Sequence, residues 1–287
     1  MSEDCITKLE QALTALSVKV DKLEARAAIE NLMGRYQYLH TASLDVEILD
    51  KLWSHSEEAS FEDTYNGVYS GWRGQGIPDY FMEKYGMERY MPPMDGPGPG
   101  PGGPPPEGMP PMGPDGPGGP MPDFLPSPPR KKAGKLIVHA MTTPVIEVDG
   151  DRAYGVWISA GHESGAFSEG ELSNIPRVDE SATNEFGEKV LADWVWLKFG
   201  VHFIREKGVW KILRLHIYDI FRCPFGEDWV TFSHRRMEEE ALVDSQTRFG
   251  MSGTTPGGPT TFHWQYTTDS VPVLEPAPPE PGWRAEE

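Results

Sequence analysis

Two stretches of alternating apolar and polar residues constrain the fold of this chain most. They are "LIVHAMTTPVIEVDGDRAYGVWISAG", which covers residues 136–161, and "VLADWVWLKFGVHFIREKGVWKILRLHIYDIF", which covers residues 190–221. Each contains a turn signal, Asp149-Gly150 in the first and Lys207-Gly208 in the second. Because two-residue turns of this kind join antiparallel strands, each stretch predicts a long hairpin. Helical patterns precede both hairpins, and that order is typical of an α+β fold.

The N-terminal residues carry a heptad pattern. Apolar side chains at alternating spacings of three and four predict a helix over residues 1–26 with an a/d seam. The seam packs either on its own domain or on another subunit; its members are Ile6, Leu9, Leu13, Leu16, Val20 and Leu23. Helical periodicity then continues through "AAIENLMGRYQYLHT", and "DVEILDKLW" predicts a second, short helix. A short strand in "ASFED" and a helix opened by Ile77-Pro78 follow.

Proline and glycine are concentrated in residues 91–132. Sequence such as "PGPGPGGPPPEGMPPMGPDGPGG" cannot bury enough apolar surface to offset the entropy of ordering. We expect a disordered insertion in one domain over residues 27–222, followed by an irregular C-terminal extension over 223–287. The insertion could also bind a partner as a Pro-rich ligand, or form a lid over a pocket.

Composition narrows the classes of function. The net charge of −18 argues against nucleic acid and anionic membrane as partners. Two cysteines are too few for a disulfide framework or a Cys-based zinc site, and the absence of an apolar run of about 18 residues predicts a cytoplasmic protein. No Gly-rich phosphate loop, His-Glu-x-x-His or Gly-x-Ser-x-Gly motif occurs. We therefore expect no cofactor and no metal, and chemistry by general acid–base groups.

Three segments resemble the SnoaL-like branch of the nuclear transport factor 2 superfamily. They are "AAIENLMGRYQYLHTASLDVEILDKLW", "VHAMTTPVIEVDGDRAYGVWISAGHE" and "FGVHFIREKGVWKILRLHI". The resemblance covers about residues 27–80 and 134–222. It implies a curved antiparallel sheet that forms a cone, an α+β barrel, around the N-terminal helices, with a pocket at its open end. The long tail also resembles members that act on lignin-derived diaryl compounds. The fold hosts many activities, so the resemblance indicates the reaction only weakly.

Strand alternation predicts which side chains of the second hairpin face the pocket. A two-residue turn at Lys207-Gly208 pairs Phe203 with Ile212, and Trp210 and Ile212 resemble the family's inward Trp-x-Ile. Alternation then places a polar column inside, opposite an apolar wall that would bind substrate. The column is Arg214, His216 and Tyr218; the wall is Leu197, Phe199, Val201 and Phe203, with Val195 beside it.

The other face of this hairpin is rich in Trp and Leu. Such a face should not meet water, so we expect a homo-oligomer, a dimer or trimer, formed through this outer sheet face. A three-residue turn would instead bring Lys198 and His202 into the cavity.

In the first hairpin, Ile146 is expected to pair with Ala153, and both resemble inward family positions. Pro144 cannot donate to the sheet and suggests a bulge, which would turn His139 inward. Resemblance to dehydratases of the superfamily implies that His139 and His162 are catalytic, with His162 at the rim of the cavity. Further candidates are Tyr38, His40 and Asp63 for catalysis and Tyr36 and Trp157 for substrate binding.

These residues suggest a cofactor-independent lyase or dehydratase that acts on a small hydrophobic, aromatic or polycyclic substrate. His139 would help a hydroxyl to leave, His216 or Tyr218 would take a proton, and Arg214 would hold an anionic oxygen. Two alternatives stay open: an isomerase or polyketide cyclase of the same fold, and a non-catalytic ligand-binding or scaffold module.

Overall fold

A computed structural model describes most of the chain outside the Pro/Gly-rich stretch. The described residues are 3–64, 67–72, 76–81, 134–167, 182–185, 187–233, 258–262 and 264–285. The insertion predicted at 91–132, with its lid and partner-binding alternatives, lies outside them.

The helices come first, as the sequence predicts. Helix α1 spans Glu3–Thr41 and runs without a break through residue 26; α2 spans Asp45–Leu52 and α3 spans Ile77–Phe81. Between α1 and α2 the chain reverses at Ser43, whose φ is 54°. This left-handed residue ends the first helix and lets α2 turn back onto it. None of the helices in the described part of the chain is both long enough and apolar enough to cross a membrane.

In the described residues, eight strands form one open sheet. They are β1 Ser60–Asp63, β2 Gly67–Ser70, β3 Leu136–Met141, β4 Val145–Asp149, β5 Arg152–Phe167, β6 Ala182–Thr183, β7 Lys189–Glu206 and β8 Val209–Pro224. Their order is β2-β1-β8-β7-β5-β3, with β4 also paired to β5 and β6 to β7. Every pairing is antiparallel except that of β1 with β8, which is parallel. The predicted α+β class and curved sheet are confirmed, but the sheet does not close into a barrel.

The predicted turns join the strands, with one change of register. Lys207 and Gly208 have φ values of 50° and 81°, and Glu206 pairs with Val209 as expected from a two-residue turn. In the first hairpin Asp149 pairs with Arg152, so the turn lies one residue later than predicted. Ile146 therefore pairs with Gly155 and not with Ala153.

Two β-bulges change the direction of side chains along β8. Phe203 pairs with Ile212 but His202 pairs with Arg214. Leu213 is therefore an extra residue of β8 that has no partner on β7. A second shift falls at Ile220, between the partners of Trp196 and Leu197. Each bulge exchanges the two faces of β8 for the residues that follow it.

The hydrophobic core fills the space between the helices and one face of the sheet, which we call the helix-facing side. Its members are buried residues of all three helices and of the strands. Those with no exposed surface include Ile29, Ile48, Trp53, Ile77, Val195, Phe199, Val201, Phe203 and Ile212.

The chain's own C-terminal residues cover part of the opposite, outer side. Lys198 donates from Nζ to the carbonyl of Glu275 at 2.7 Å. The ring of Trp283 lies 6.1 Å from that of Tyr154, and Phe262 packs edge-on against Tyr218. Part of the outer sheet face is thus covered within one chain, although Trp196 on that face is 39% exposed.

Candidate functional site

Two imidazoles meet at one end of the helix-facing side. His40 comes from the last turn of α1 and His139 from β3; their ring centroids are 5.4 Å apart. The two residues are only 8% and 7% exposed. Burial at this level makes the hydrogen-bond partners of each ring decisive for its chemistry.

A carboxylate orients the first imidazole. His40 Nδ1 lies 2.5 Å from Asp45 Oδ1, because the reversal at Ser43 brings the first turn of α2 beside the end of α1. When Nδ1–H donates to Asp45, Nε2 is the ring nitrogen that exchanges protons with another group. Asp45 makes no side-chain cap for its own helix, and its other oxygen, Oδ2, has no hydrogen-bond partner among the described residues. Its contact with His40 is therefore the principal role visible for this carboxylate.

A second carboxylate holds the other imidazole. His139 Nε2 lies 2.8 Å from Glu163 Oε1 on β5, and Arg222 on β8 binds Glu163 through both terminal nitrogens. Burial alone would raise the pKa of Glu163, but Arg222 and His139 hold that pKa well below its usual range. Burial lowers the pKa of His139, against the opposing effect of Glu163. His139 is therefore neutral near pH 7, with Nδ1 as its basic nitrogen.

One irregularity of the sheet turns His139 toward the helices. Met141 pairs with Ser159 and Val145 with Val156, so the β3–β4 segment advances four residues while β5 advances three. This additional residue, next to Pro144, resets the alternation as the sequence analysis predicts. His139 then pairs with Gly161, where an added Cβ would lie only 2.5 Å from the imidazole Cδ2. Glycine at this position makes room for the ring.

Polar groups and an aromatic ring flank the two imidazoles. Tyr36 lies one turn before His40 on α1, and its ring centroid is 5.9 Å from that of His40. Burial, with the charges of Asp45 and Asp63, raises the pKa of Tyr36 well above its ordinary value, so its hydroxyl stays protonated. Asp219 lies 3.8 Å from the guanidinium of Arg222.

The exposed edge of this cluster is at Glu163 and Arg222. Their side chains are 23% and 22% exposed, whereas that of Asp45 is 1% exposed. A ligand would reach the imidazoles over this edge. The formal charges of Asp45, Glu163 and Asp219 outnumber that of Arg222, so the site disfavours an anionic ligand.

The predicted polar column does not belong to this site. Because Leu213 is a bulge, Leu215 and Ile217 face the helices and Arg214, His216 and Tyr218 face the outer side. There His216 stacks on Tyr218 with centroids 3.7 Å apart and lies 3.2 Å from Glu62. The prediction that these three side chains share a cavity with His139 is wrong.

Other candidates also lie elsewhere. Tyr38 is 85% exposed, and His162 is exposed on the outer side beside Trp194. The expected substrate wall is buried core: Phe199, Val201 and Phe203 have no exposed surface, and Leu197 and Trp157 are 3% and 4% exposed. These side chains pack in the core and leave little surface for a substrate to contact.

The structure therefore brings together His139, His40 and Tyr36 from the predicted set, and the charge of Asp63 acts on Tyr36. It adds Asp45, Glu163, Asp219 and Arg222, which the sequence analysis did not select. Within the described ranges, no group of three or more His, Cys, Asp or Glu side chains has the arrangement of a metal site.

Comparison with known proteins identifies a family model that matches part of the chain. Residues 127–216 match the family model of the SnoaL-like domain. The predicted resemblance is confirmed. No curated protein matches the sequence.

Solved structures similar to this chain include enzymes and a protein of unknown function. Hexachlorocyclohexane dehydrochlorinase LinA-type3 from Novosphingobium barchaimii LL02 is 14% identical, with a TM-score of 0.41 over 73% of this chain and 96% of that one. A candidate scytalone dehydratase from Novosphingobium aromaticivorans DSM 12444 is 11% identical, with a TM-score of 0.39 over 72% and 91%. A nuclear transport factor 2-like protein from Salmonella enterica is 12% identical, with a TM-score of 0.37 over 70% and 94%. Similarity at this level assigns no activity to the present chain.

Proposed function

We propose that this chain is a cofactor-independent lyase that removes water, or another small leaving group, from a neutral, hydrophobic, ring-containing substrate. One observation carries the proposal. Two imidazoles, each held by its own carboxylate, lie with centroids 5.4 Å apart on the side of the sheet that faces the helices. A β-elimination needs one group that takes a proton and one that gives a proton, and paired imidazoles supply both.

The roles follow from the partners of each ring. His139 acts as the base: its burial favours the neutral form, and Glu163 fixes Nε2 so that Nδ1 can accept a proton from a substrate carbon. The electrons of that C–H bond form the new double bond as the neighbouring C–O bond breaks. His40, oriented by Asp45 and carrying a proton on each ring nitrogen, gives its Nε2 proton to the departing hydroxyl, and water leaves. Proton transfer from His139 to His40 through solvent then restores both rings.

These assignments differ from the expectation that His139 helps the hydroxyl to leave. The change follows from geometry, because His40 replaces His216 and Tyr218 as the partner of His139. It also follows from charge, since a neutral imidazole at pH 7 is suited to accepting a proton. Arg214 lies on the outer side, so an anionic substrate oxygen would not find it there.

Incubation without added cofactor tests the proposal directly. The purified protein is mixed with neutral hydroxylated aryl substrates, and the products are followed by mass spectrometry. Loss of water, with formation of a conjugated double bond, is the expected result. Conversion to a product of unchanged mass would instead identify an isomerase or cyclase, and binding without turnover would identify a ligand-binding module.

The pH dependence of activity tests the role of His139. Because the pKa of His139 is lowered below 6.5, the acid limb of kcat/KM should lie below pH 6.5, with activity falling about tenfold per pH unit below that pKa. The Glu163 carboxylate opposes this lowering, so Glu163→Gln should move the acid limb to still lower pH. His162→Ala, on the outer side, should leave the limb in place. An acid limb that moves upward in Glu163→Gln would contradict the assignment.

A further inference from the structure

The apolar seam at the N-terminus is exposed. Helix α1 extends well beyond the domain, and six heptad residues on it, the N-terminal seam, keep large exposed fractions. They are Ile6 42%, Leu9 55%, Leu13 57%, Leu16 57%, Val20 43% and Leu23 68%. A stripe of six exposed apolar side chains along one face of a helix indicates a surface that binds another apolar surface.

The seam faces away from its own domain. The later part of α1 buries Ala25, Ile29, Leu32 and Tyr36 in the core. At 3.6 residues per turn, the centre of that buried stripe is roughly 160° from the centre of the seam. Arg205 also binds Asp21 on the domain side, which holds the helix in this rotation. The alternative in which the seam packs on its own domain is therefore excluded for the described residues.

We propose that the N-terminal seam binds the same seam of a second copy of this chain, as a parallel two-stranded coiled coil. The heptad has Ile6, Leu13 and Val20 at the a positions and leucine at every d position. Branching at Cβ at two of the three a positions, Ile6 and Val20, combined with leucine at d, favours two parallel strands. The remainder of α1 is already folded against the domain. Association therefore does not require the unfavourable nucleation of a new helix.

Charge at the flanks of the seam supports the parallel pairing. Lys19 occupies a g position and Glu24 the e position of the next heptad. In a parallel dimer these positions face each other across the seam, so Lys19 of each copy meets Glu24 of the other. Two attractive contacts of this kind form by symmetry. The pattern of charges thus favours a second copy of the chain as the partner of the seam, in the parallel orientation.

Sedimentation equilibrium of the full chain tests the proposal. The unchanged protein should be a dimer that dissociates on dilution, and Leu13→Glu combined with Leu16→Glu should be a monomer. Val18→Glu is the matched control, because Val18 is 54% exposed on the same helix but lies off the seam. It should leave the dimer intact. A Leu13→Glu/Leu16→Glu protein that stays oligomeric would overturn the proposal and favour the outer sheet face as the contact. A monomeric unchanged protein would overturn it too.

Two further variants test the orientation. Lys19→Glu should weaken the dimer by roughly fivefold, and adding Glu24→Lys should restore it, because two opposed charges are exchanged together. In a background with Cys5→Ser, Leu9→Cys should cross-link to itself under mild oxidation, since parallel helices place the two sulfurs in one layer. An antiparallel pair would separate them, so failure to cross-link in a dimeric protein would contradict the parallel arrangement.

Discussion

Replacing His139 with alanine should lower kcat by roughly 10²–10⁴-fold, the usual contribution of one positioned acid–base group. The ring lies on the helix-facing side, 7% exposed, with Nε2 held by Glu163. Its removal takes away the proposed base and leaves the remaining site in place. Steady-state kinetics of the dehydration, with circular dichroism to verify folding, measure the effect.

The same loss is expected from His40→Ala, and the double variant should lose little more than either single one. Groups that act as one unit are not additive, because either deletion already abolishes the coupled proton transfer. His162→Ala is the matched control, since it deletes an exposed imidazole from the outer side of the same sheet. Full activity in His139→Ala would remove this residue from the mechanism.

The fold could be predicted from the sequence because its signals are local. Helical periodicity located α1 and α2, and the glycine turns located both long hairpins. Glycine at the turn allows the positive φ that a two-residue hairpin needs, as at Gly208 with φ 81°. Pro144 marked the irregularity that turns His139 inward, since a residue without an N–H cannot continue the ladder.

The bulge at Leu213 was missed because no glycine or proline marks it. Apolar residues at 210 and 212 are followed by apolar residues at 213, 215 and 217, so the buried positions change from even to odd. That change of parity is the signal of an added residue. Strict alternation without the bulge assigns the odd positions to a second apolar face and so puts His216 on the wrong side.

The carboxylates of the site were missed for different reasons. Asp45 in the first turn of a helix is normally explained by the helix dipole, so its partnership with His40 has no separate signal. Glu163 and Arg222 fall where the sequence analysis ended the strands. In the structure β5 continues to Phe167 and β8 to Pro224, and these longer strands bring the two side chains to His139. Contacts of this kind depend on where a strand ends. The pattern of apolar and polar residues predicts the ends of strands poorly.

Phe199→Ala should cost about 3–5 kcal/mol of the free energy of unfolding, the usual range for a buried phenylalanine. Phe199 has no exposed surface and lies on the central strand β7, between Trp157 on β5 and Ile217 on β8. Its ring meets Tyr36 of α1 edge-on at 6.4 Å, so the deletion opens a cavity between sheet and helix. Urea unfolding measures the loss.

Phe225→Ala provides the comparison, because it deletes the same ring from a position that is 56% exposed. Its cost should be below about 1 kcal/mol, as for most exposed substitutions. The contrast separates two views of β7. If Phe199 belonged to an open substrate wall, as alternation first predicted, its removal would leave little unfilled volume and the two variants would be alike. A large loss for Phe199 alone would mean that its ring belongs to the packed interior and not to an open substrate wall.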